Sequence, residues 1–474
     1  MSNHLSEKQL IGYIHQTLTD AEREEIDQHL AECAQCRTHL DGYESLQRHI
    51  RYNLAIDLRR VQASSKKTFA AIAPRLKRGR RLATMQIAAE RLSVVGALAA
   101  IFVLVYGLIT GPLLIEQTPA DVPAPAGAMF RGNPQRTGAY DAETVPLLGE
   151  LVWSFQTKGA IWASPAMAEG IIYFSSTDRY FYALDSQTGQ LKWKFEVDRW
   201  PTLSSPAIDQ GIIYFGAGRH LYALDSQTGQ EKWRFETEGG VESSPVVANG
   251  LVYFSADPYL YALDSHTGEE VWKFKMEGFA VDSSPDSSPA VANGIVYIGS
   301  SDKNLYVLDS QTGQLRWKFE TNGAVASSPA VANGVVYIGS SDSYFYALDS
   351  RTGQEKWKFK TQGAILSSPA VTAGIVYFGS LDSRLYALDN QTGQLVWQFE
   401  TEREVKSSPI VAKGVVYFGS FDGHLYAVDS QTGQEIWKFK TKAGVKLAGV
   451  KSSPLVANGL VYFGSEDGDF YAVR

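Results

Sequence analysis

A segment repeated eight times constrains this chain more than anything else in it. Its tryptophans, Trp153, Trp193, Trp233, Trp272, Trp317, Trp357, Trp397 and Trp437, recur at steps of 40, 40, 39, 45, 40, 40 and 40 residues. Each unit reads approximately SSPAVANG, VYFGS, a variable tip, LYALDSQTGQ and a WKFK-like run. These are four short extended segments separated by turn chemistry, with no helical period between them, and four strands per unit make a propeller blade. The β-branched and aromatic residues of VYFGS and LYALD suit strands packed between two neighbouring sheets.

The turns are equally legible. In Asp225-Ser-Gln-Thr-Gly229 the carboxylate can accept backbone N–H groups while glycine supplies a positive φ, and the pattern recurs up to Gly433. Asn-Gly pairs such as Asn249-Gly250 and Asn333-Gly334 supply a second hairpin turn. The first repeat fragment, Leu151 to Thr157, is a lone WxF strand, and the last fragment, reaching Tyr471 to Arg474, lacks one. A ring in which the N-terminal strand completes the C-terminal blade repairs both defects and leaves no open sheet end. The expected fold is therefore mainly β, an eight-bladed propeller over 151–474, joined to a small α-helical zinc domain and one transmembrane helix.

Upstream, the composition changes twice. Residues 1–60 hold both cysteines and five of the eight histidines, residues 61–91 are a basic juxtamembrane segment, and residues 92–115 run without a charge. That run is long enough to span a bilayer as a helix, and it starts too far into the chain for an ordinary signal peptide. Arg75, Lys77, Arg78, Arg80, Arg81 and Arg91 precede it, whereas Glu116 and Asp121 lead into a Pro/Ala-containing linker assigned to 116–150. Basic flanks stay in the cytoplasm, so the expected topology is a single-pass cell-membrane protein with a cytoplasmic N-terminus and an extracytoplasmic propeller. Residues 1–115 carry 15 Lys+Arg against 11 Asp+Glu, and residues 116–474 carry 29 against 40. An acidic propeller argues against direct nucleic-acid binding.

Cysteine usage follows the same partition, since Cys33 and Cys36 lie on the side expected to be reducing and the propeller has none. The spacing His29-x3-Cys33-x2-Cys36 follows a capping-box start at Thr19 and Glu22, which puts imidazole and thiolate one helical turn apart. Zinc takes four such ligands. His4 is the expected fourth, carried by a short helix beginning near Ser6, with His15 and His39 as alternatives. A redox CxxC pair is the competing reading, and no βαβ pattern surrounds it.

At these residues the chain resembles known families. Leu10 to Leu40, with Tyr13, the Leu18 to Glu22 turn and Glu32-Cys33-Ala34-Gln35-Cys36, resembles the zinc-binding anti-sigma domain of bacterial membrane regulators. That resemblance implies structural zinc on His29, Cys33, Cys36 and His4, and a cytoplasmic sigma-type transcription factor as partner. Leu151 to Arg474, with its Trp, Ala-Leu-Asp and Thr-Gly elements, resembles the pyrroloquinoline-quinone-like repeat propellers. This family includes quinone-dependent dehydrogenases and the noncatalytic propeller lipoprotein of outer-membrane barrel assembly. The dehydrogenases add a vicinal disulfide, calcium ligands and a carboxylate base, none of which is identifiable here, so no PQQ is expected.

Catalysis needs singular residues in one asymmetric site, and these repeats are almost interchangeable. The irregularities are two five-residue insertions, around Asp282 to Asp286 and Lys446 to Val450. Tip residues Arg179, Tyr180, Arg219, Tyr259, Tyr344, Arg384 and His424 vary between copies, as a binding rim on a constant scaffold would. The recurrent Ser-Ser-Pro places hydroxyls at the end of the ring's channel, where turn duty explains them. The expected function is that of a non-enzymatic membrane regulator whose propeller binds a ligand, envelope protein or polymer at its rim. The alternatives are a membrane-anchored noncatalytic envelope scaffold and, further off, a quinoprotein dehydrogenase.

Overall fold

The computed structural model describes residues 129–140, 145–146, 148–198, 203–277, 287–442 and 449–474, together with Ile26 and His29. The expected ligands His4, Cys33 and Cys36 and the apolar run 92–115 lie outside the described residues. Among the described residues no helix is long and apolar enough to cross a membrane. The chain divides into two compact units, Met1–Thr118 and Pro119–Arg474.

The second unit is a ring of eight sheets. β1 (Ala139–Tyr140) precedes the ring, and β2 (Leu151–Gln156) is the isolated WxF strand. The first blade comprises β3 (Ala166–Ala168), β4 (Ile171–Ser175), β5 (Tyr180–Asp185) and β6 (Leu191–Glu196) as an antiparallel meander. Blades 2 to 7 repeat that order, and blade 8 consists of Leu455–Ala457, Leu460–Gly464 and Asp469–Val473 completed by β2. Trp153 there pairs with Ala472 and Phe155 with Phe470, the expected closure. Main-chain bonds in both directions between Glu150 and Arg474 lock the seam.

The second strands are buried almost throughout and the third strands are buried in all but their end residues, because each sheet is covered by a neighbour on both faces. The outer strands read exposed, exposed, half-buried, exposed, half-buried, exposed, which is why only their Trp and Phe are constant. The packing across the seam matches the packing inside the ring. Phe470 of blade 8 stacks on Phe174 of blade 1 at 4.1 Å, and Phe345 of blade 5 on Phe378 of blade 6 at 4.0 Å.

Each tryptophan wedges onto the following blade. Trp193 Nε1 and Tyr173 Oη both donate to the Ser226 carbonyl, at 3.1 Å each, and the indole lies against Gly229. Asp225 Oδ1 accepts Gln227 N–H, Thr228 N–H and the Thr228 hydroxyl, which holds its pKa below the usual carboxylate range and fixes the turn. Chain closure leaves blade 8 without such a turn. Pro146 and Gly149 supply it: Tyr417 and Trp437 donate to the Pro146 carbonyl, and Gly149, at φ +66°, lies under Trp437. Gly149-Glu-Leu-Val-Trp153 thus repeats Gly393-Gln-Leu-Val-Trp397, and the repeat begins before the Leu151 boundary read from sequence.

Candidate functional site

The innermost strand of each blade begins at a Ser-Pro pair, and the second serine ties the ring together. Ser164 N–H donates to Ser205 Oγ, Ser205 to Ser244, Ser244 to Ser288, and Ser288 to Ser328. Ser328 then donates to Ser368, Ser368 to Ser408, Ser408 to Ser453, and Ser453 back to Ser164, all between 2.9 and 3.1 Å. The hydroxyls that the sequence assigned to turn duty form a closed belt between blades. Each satisfies a buried N–H that its own blade leaves open.

The axis inside this belt is filled. Residues 129–140, placed in the linker by sequence, run along the inner strand edges instead. Met129 bridges Ala207 of blade 2, and β1 pairs in parallel with Ile410–Ala412 of blade 7. Between them the carbonyls of Pro134, Gln135, Thr137 and Gly138 accept N–H from Val291, Val331, Val371 and Val411 in blades 4 to 7. Arg131 and Arg136, 2% and 0% exposed, reach the carbonyls at the foot of the belt. Arg131 donates to the Pro369 and Pro409 carbonyls, and Arg136 to those of Ser244, Pro245 and Pro289. Burial without a carboxylate partner pushes both guanidiniums down to about 9. The carbonyl fork contacts offset that cost, because planar five-donor groups match a ring of inward-facing acceptors.

A linker assignment was natural because no repeat signal covers this stretch. The clues were its composition: Phe130-Arg131-Gly132 and Gln135-Arg136-Thr137-Gly138 differ sharply from the Pro/Ala run before them. A segment with aromatic residues at both ends and two arginines has side chains to bury.

The face carrying the belt also carries the variable tips. Arg179 and Arg219 are exposed, while Tyr180, Tyr259, Tyr344, Arg384 and His424 are half-buried at the starts of third strands. Several are already braced: Lys194 lies over Tyr180 at 4.1 Å, Lys273 over Tyr259 at 4.9 Å, and Arg384 pairs with Glu400 at 3.5 Å. In six blades a tip aspartate, for example Asp342, accepts from a buried tyrosine, here Tyr346 at 2.8 Å, and so rigidifies the platform under the rim. Blade 3 differs. Asp257 has no such tyrosine bond, and burial, with Glu242 and Asp302 nearby, pushes its carboxyl up to about 6. Residues 282–286 of the first insertion and 446–448 of the second lie outside the described residues, in the connections from blade 3 to 4 and from blade 7 to 8, whereas Gly449 and Val450 of the second are described and Val450 is buried.

Of the expected zinc ligands, only His29 is described. It is helical and half-buried, and its Nε2 is enclosed with no hydrogen-bond partner among the described residues. Ile26, one turn earlier on the same helix face, is 2% exposed. Among the described residues no group of three or more His, Cys, Asp or Glu is arranged to hold a metal ion.

The fold and axis define a class: closed eight-bladed propellers of pyrroloquinoline-quinone-like repeats. Comparison with known proteins narrows it. The sequence model of the outer membrane protein assembly factor BamB family matches residues 120–255, 200–324 and 256–474, and the chain belongs to that family. A zinc-finger family model matches residues 7–37, which span His29, Cys33 and Cys36. BamB from Moraxella catarrhalis superposes with a TM-score of 0.60 at 19% identity, over 69% of this chain and 100% of that one. The quinohemoprotein alcohol dehydrogenase from Comamonas testosteroni gives 0.61 at 16% identity, over 74% and 80%. The computationally designed Ika8 protein gives 0.60 at 20% identity, over 69% and 99%. In sequence, 88 residues are 30% identical to methanol dehydrogenase [cytochrome c] subunit 1 of Paracoccus denitrificans. That match spans 18% of this chain and 13% of the dehydrogenase subunit. The structural likenesses share a ring, at identities that carry the fold alone.

Proposed function

We infer that this protein is a membrane-anchored, noncatalytic envelope scaffold whose propeller holds a protein partner on its belt-side rim. The observation that carries this reading is the filled axis. Arg131 and Arg136 occupy the centre where a ring could hold a small ligand, so the free recognition surface is the variable rim. Rim side chains pre-braced by ion pairs, cation–π contacts and Tyr–Asp bonds lose little freedom on binding, as suits a docking platform. Membership of the outer membrane protein assembly factor family supports an envelope partner.

The test is photocrosslinking in the native host. A photoreactive residue at Tyr180, Tyr344 or His424 should yield a discrete adduct with an envelope protein, and the adduct should persist when residues 1–60 are deleted. Absence of adducts from every rim position would refute the scaffold.

A second reading rests on the zinc-finger match. In it, residues 1–60 form a cytoplasmic anti-sigma-like module, with His4, His29, Cys33 and Cys36 holding structural zinc that ties short helices together. The charge-free run 92–115 would be the span and the propeller extracytoplasmic. Transcript profiles separate the readings: loss of one shared regulon on deleting the gene or only residues 1–60 favours the regulator, and its absence favours the scaffold. Full-length protein should carry about one zinc per chain.

A further inference from the structure

We propose that the belt-side face carries a binding site for a carboxylate-bearing peptide segment, formed by Lys406, Lys451 and Trp162 on three consecutive blades. The proposal deepens the scaffold reading by naming the chemistry of the partner.

Near-identical blades make departures from the repeat informative. The position two residues before each belt serine is one such departure, followed by Ser-Ser-Pro in blades 2 to 8 and by Ala-Ser-Pro in blade 1. It holds Leu203, Ala326 and Leu366 in blades 2, 5 and 6, the acids Glu242 and Asp286 in blades 3 and 4, and Lys406, Lys451 and Trp162 in blades 7, 8 and 1. The belt puts those last three side by side: Ser408 N–H donates to Ser453 Oγ at 3.1 Å, and Ser453 N–H to Ser164 Oγ at 3.0 Å. All three side chains are half-buried.

Lys406 Nζ lies over the Phe421 ring at 4.4 Å, and Lys451 Nζ over the Trp162 ring at 5.0 Å. Among the described residues neither ammonium has a carboxylate within ion-pair distance. Of the flanking acids, Glu404 pairs with Arg403 at 3.7 Å, its Oε2 making no hydrogen bond among the described residues, and Glu466 accepts the Gly449 N–H at 3.0 Å. Trp162 Nε1 is enclosed and has no hydrogen-bond partner among the described residues. Two ammoniums held on aromatic faces and one unused indole N–H form a donor set that lacks an acceptor.

A carboxylate completes it, accepting charge-assisted hydrogen bonds from the lysines and one from the indole. The arc around it carries apolar surface at Phe421, the Trp162 ring and Leu203 of the next blade, beside the Arg403–Glu404 pair. An anionic polysaccharide would set its hydroxyls against those side chains without partners, a desolvation cost that an acidic peptide with alternating apolar side chains avoids. Glu242, four blades from Lys406 around the ring, disfavours the same peptide on the opposite arc, so the docking direction is fixed.

The probes are a fluorescein-labelled peptide of alternating Glu and Leu, its Gln-for-Glu counterpart, and polygalacturonate, titrated against the full chain in detergent. The Glu peptide should bind at least tenfold tighter than the Gln peptide, and more weakly in 0.5 M salt. Lys406→Gln and Lys451→Gln should each weaken it by about tenfold. Trp162→Phe should cost a smaller factor, since it keeps an aromatic face for Lys451 while removing the N–H together with the pyrrole part of the indole. An unchanged melting curve for the lysine variants keeps misfolding out of the result. Equal affinity for both peptides, tighter binding of polygalacturonate, or indifference to both lysine substitutions would overturn the site. If rim adducts still form while these titrations fail, the scaffold stands and this site falls.

Discussion

Two glycines of blade 3 isolate what the inter-blade wedge is worth. Gly250 and Gly268 have nearly the same backbone, φ +75° and +74°. A Cβ at Gly250 would meet nothing within 4 Å, whereas one at Gly268 would fall 2.7 Å from both Cδ2 and Cε3 of Trp233. Gly250→Ala therefore carries only left-handed strain, about 1–2 kcal/mol. Gly268→Ala carries the same strain and also forces the indole back by about 1 Å to restore a carbon–carbon contact near 3.5–4 Å. Overpacking of that kind costs about 1–3 kcal/mol. Retreat also strains the Trp233 Nε1 bond to the Ser265 carbonyl, 3.2 Å long, which puts about 1 kcal/mol more at risk. Gly268→Ala should thus lose about 2 kcal/mol or more beyond Gly250→Ala. Equilibrium urea unfolding followed by tryptophan fluorescence measures both, with the m-value as a check that the same surface unfolds. Losses equal to within about 0.5 kcal/mol would refute the wedge and reduce both glycines to turn formers.

Asp257, pushed up to about 6, binds its proton more tightly folded than unfolded, so its contribution to stability falls as pH rises from about 4 to 6. With the partial exposure of the site discounted, Asp257→Asn should raise stability at pH 8 by about 1–2 kcal/mol and give no gain below pH 4; a gain independent of pH would contradict this. The turn aspartates run the other way. Asp309, held at about 2 chiefly by Arg316 at 2.6 Å and the Thr312 N–H, and Asp225, Asp349 and Asp389, depressed first by the N–H of the turn threonine, contribute stability above about pH 4 that is lost as pH falls through their folded values. Asp309→Asn should therefore lower the thermal midpoint at pH 7, by an amount that shrinks steadily as pH falls from about 4 toward 2. Arg136→Met strips donors from four buried carbonyls and should cost more than about 3 kcal/mol, with residues 129–140 becoming accessible to limited proteolysis. A plug that stays protected would mean that the Val N–H ladder alone seats it.

The ring was readable because its determinants are periodic: the Trp step, the Asp-x-x-x-Gly turn and the missing strand at each end each point to closure. What was not readable depends on relations between copies. A serine in every unit looks like a local turn residue. Only when Ser453 N–H meets Ser164 Oγ does it become a belt, because the bond joins equal positions 289 residues apart. The plug escaped for a related reason. Its partners are main-chain carbonyls and N–H groups of the inner strands, which every sequence supplies, so no complementary side chain announces the docking of Arg131 or Arg136. Symmetry explains where recognition must lie. Eight equal blades with a filled axis offer the same surface in every direction, and any partner that binds in one orientation has to read the few registers where the copies differ. Lys406, Lys451 and Trp162 share one such register, and they meet only because the last blade is closed by the first strand of the ring.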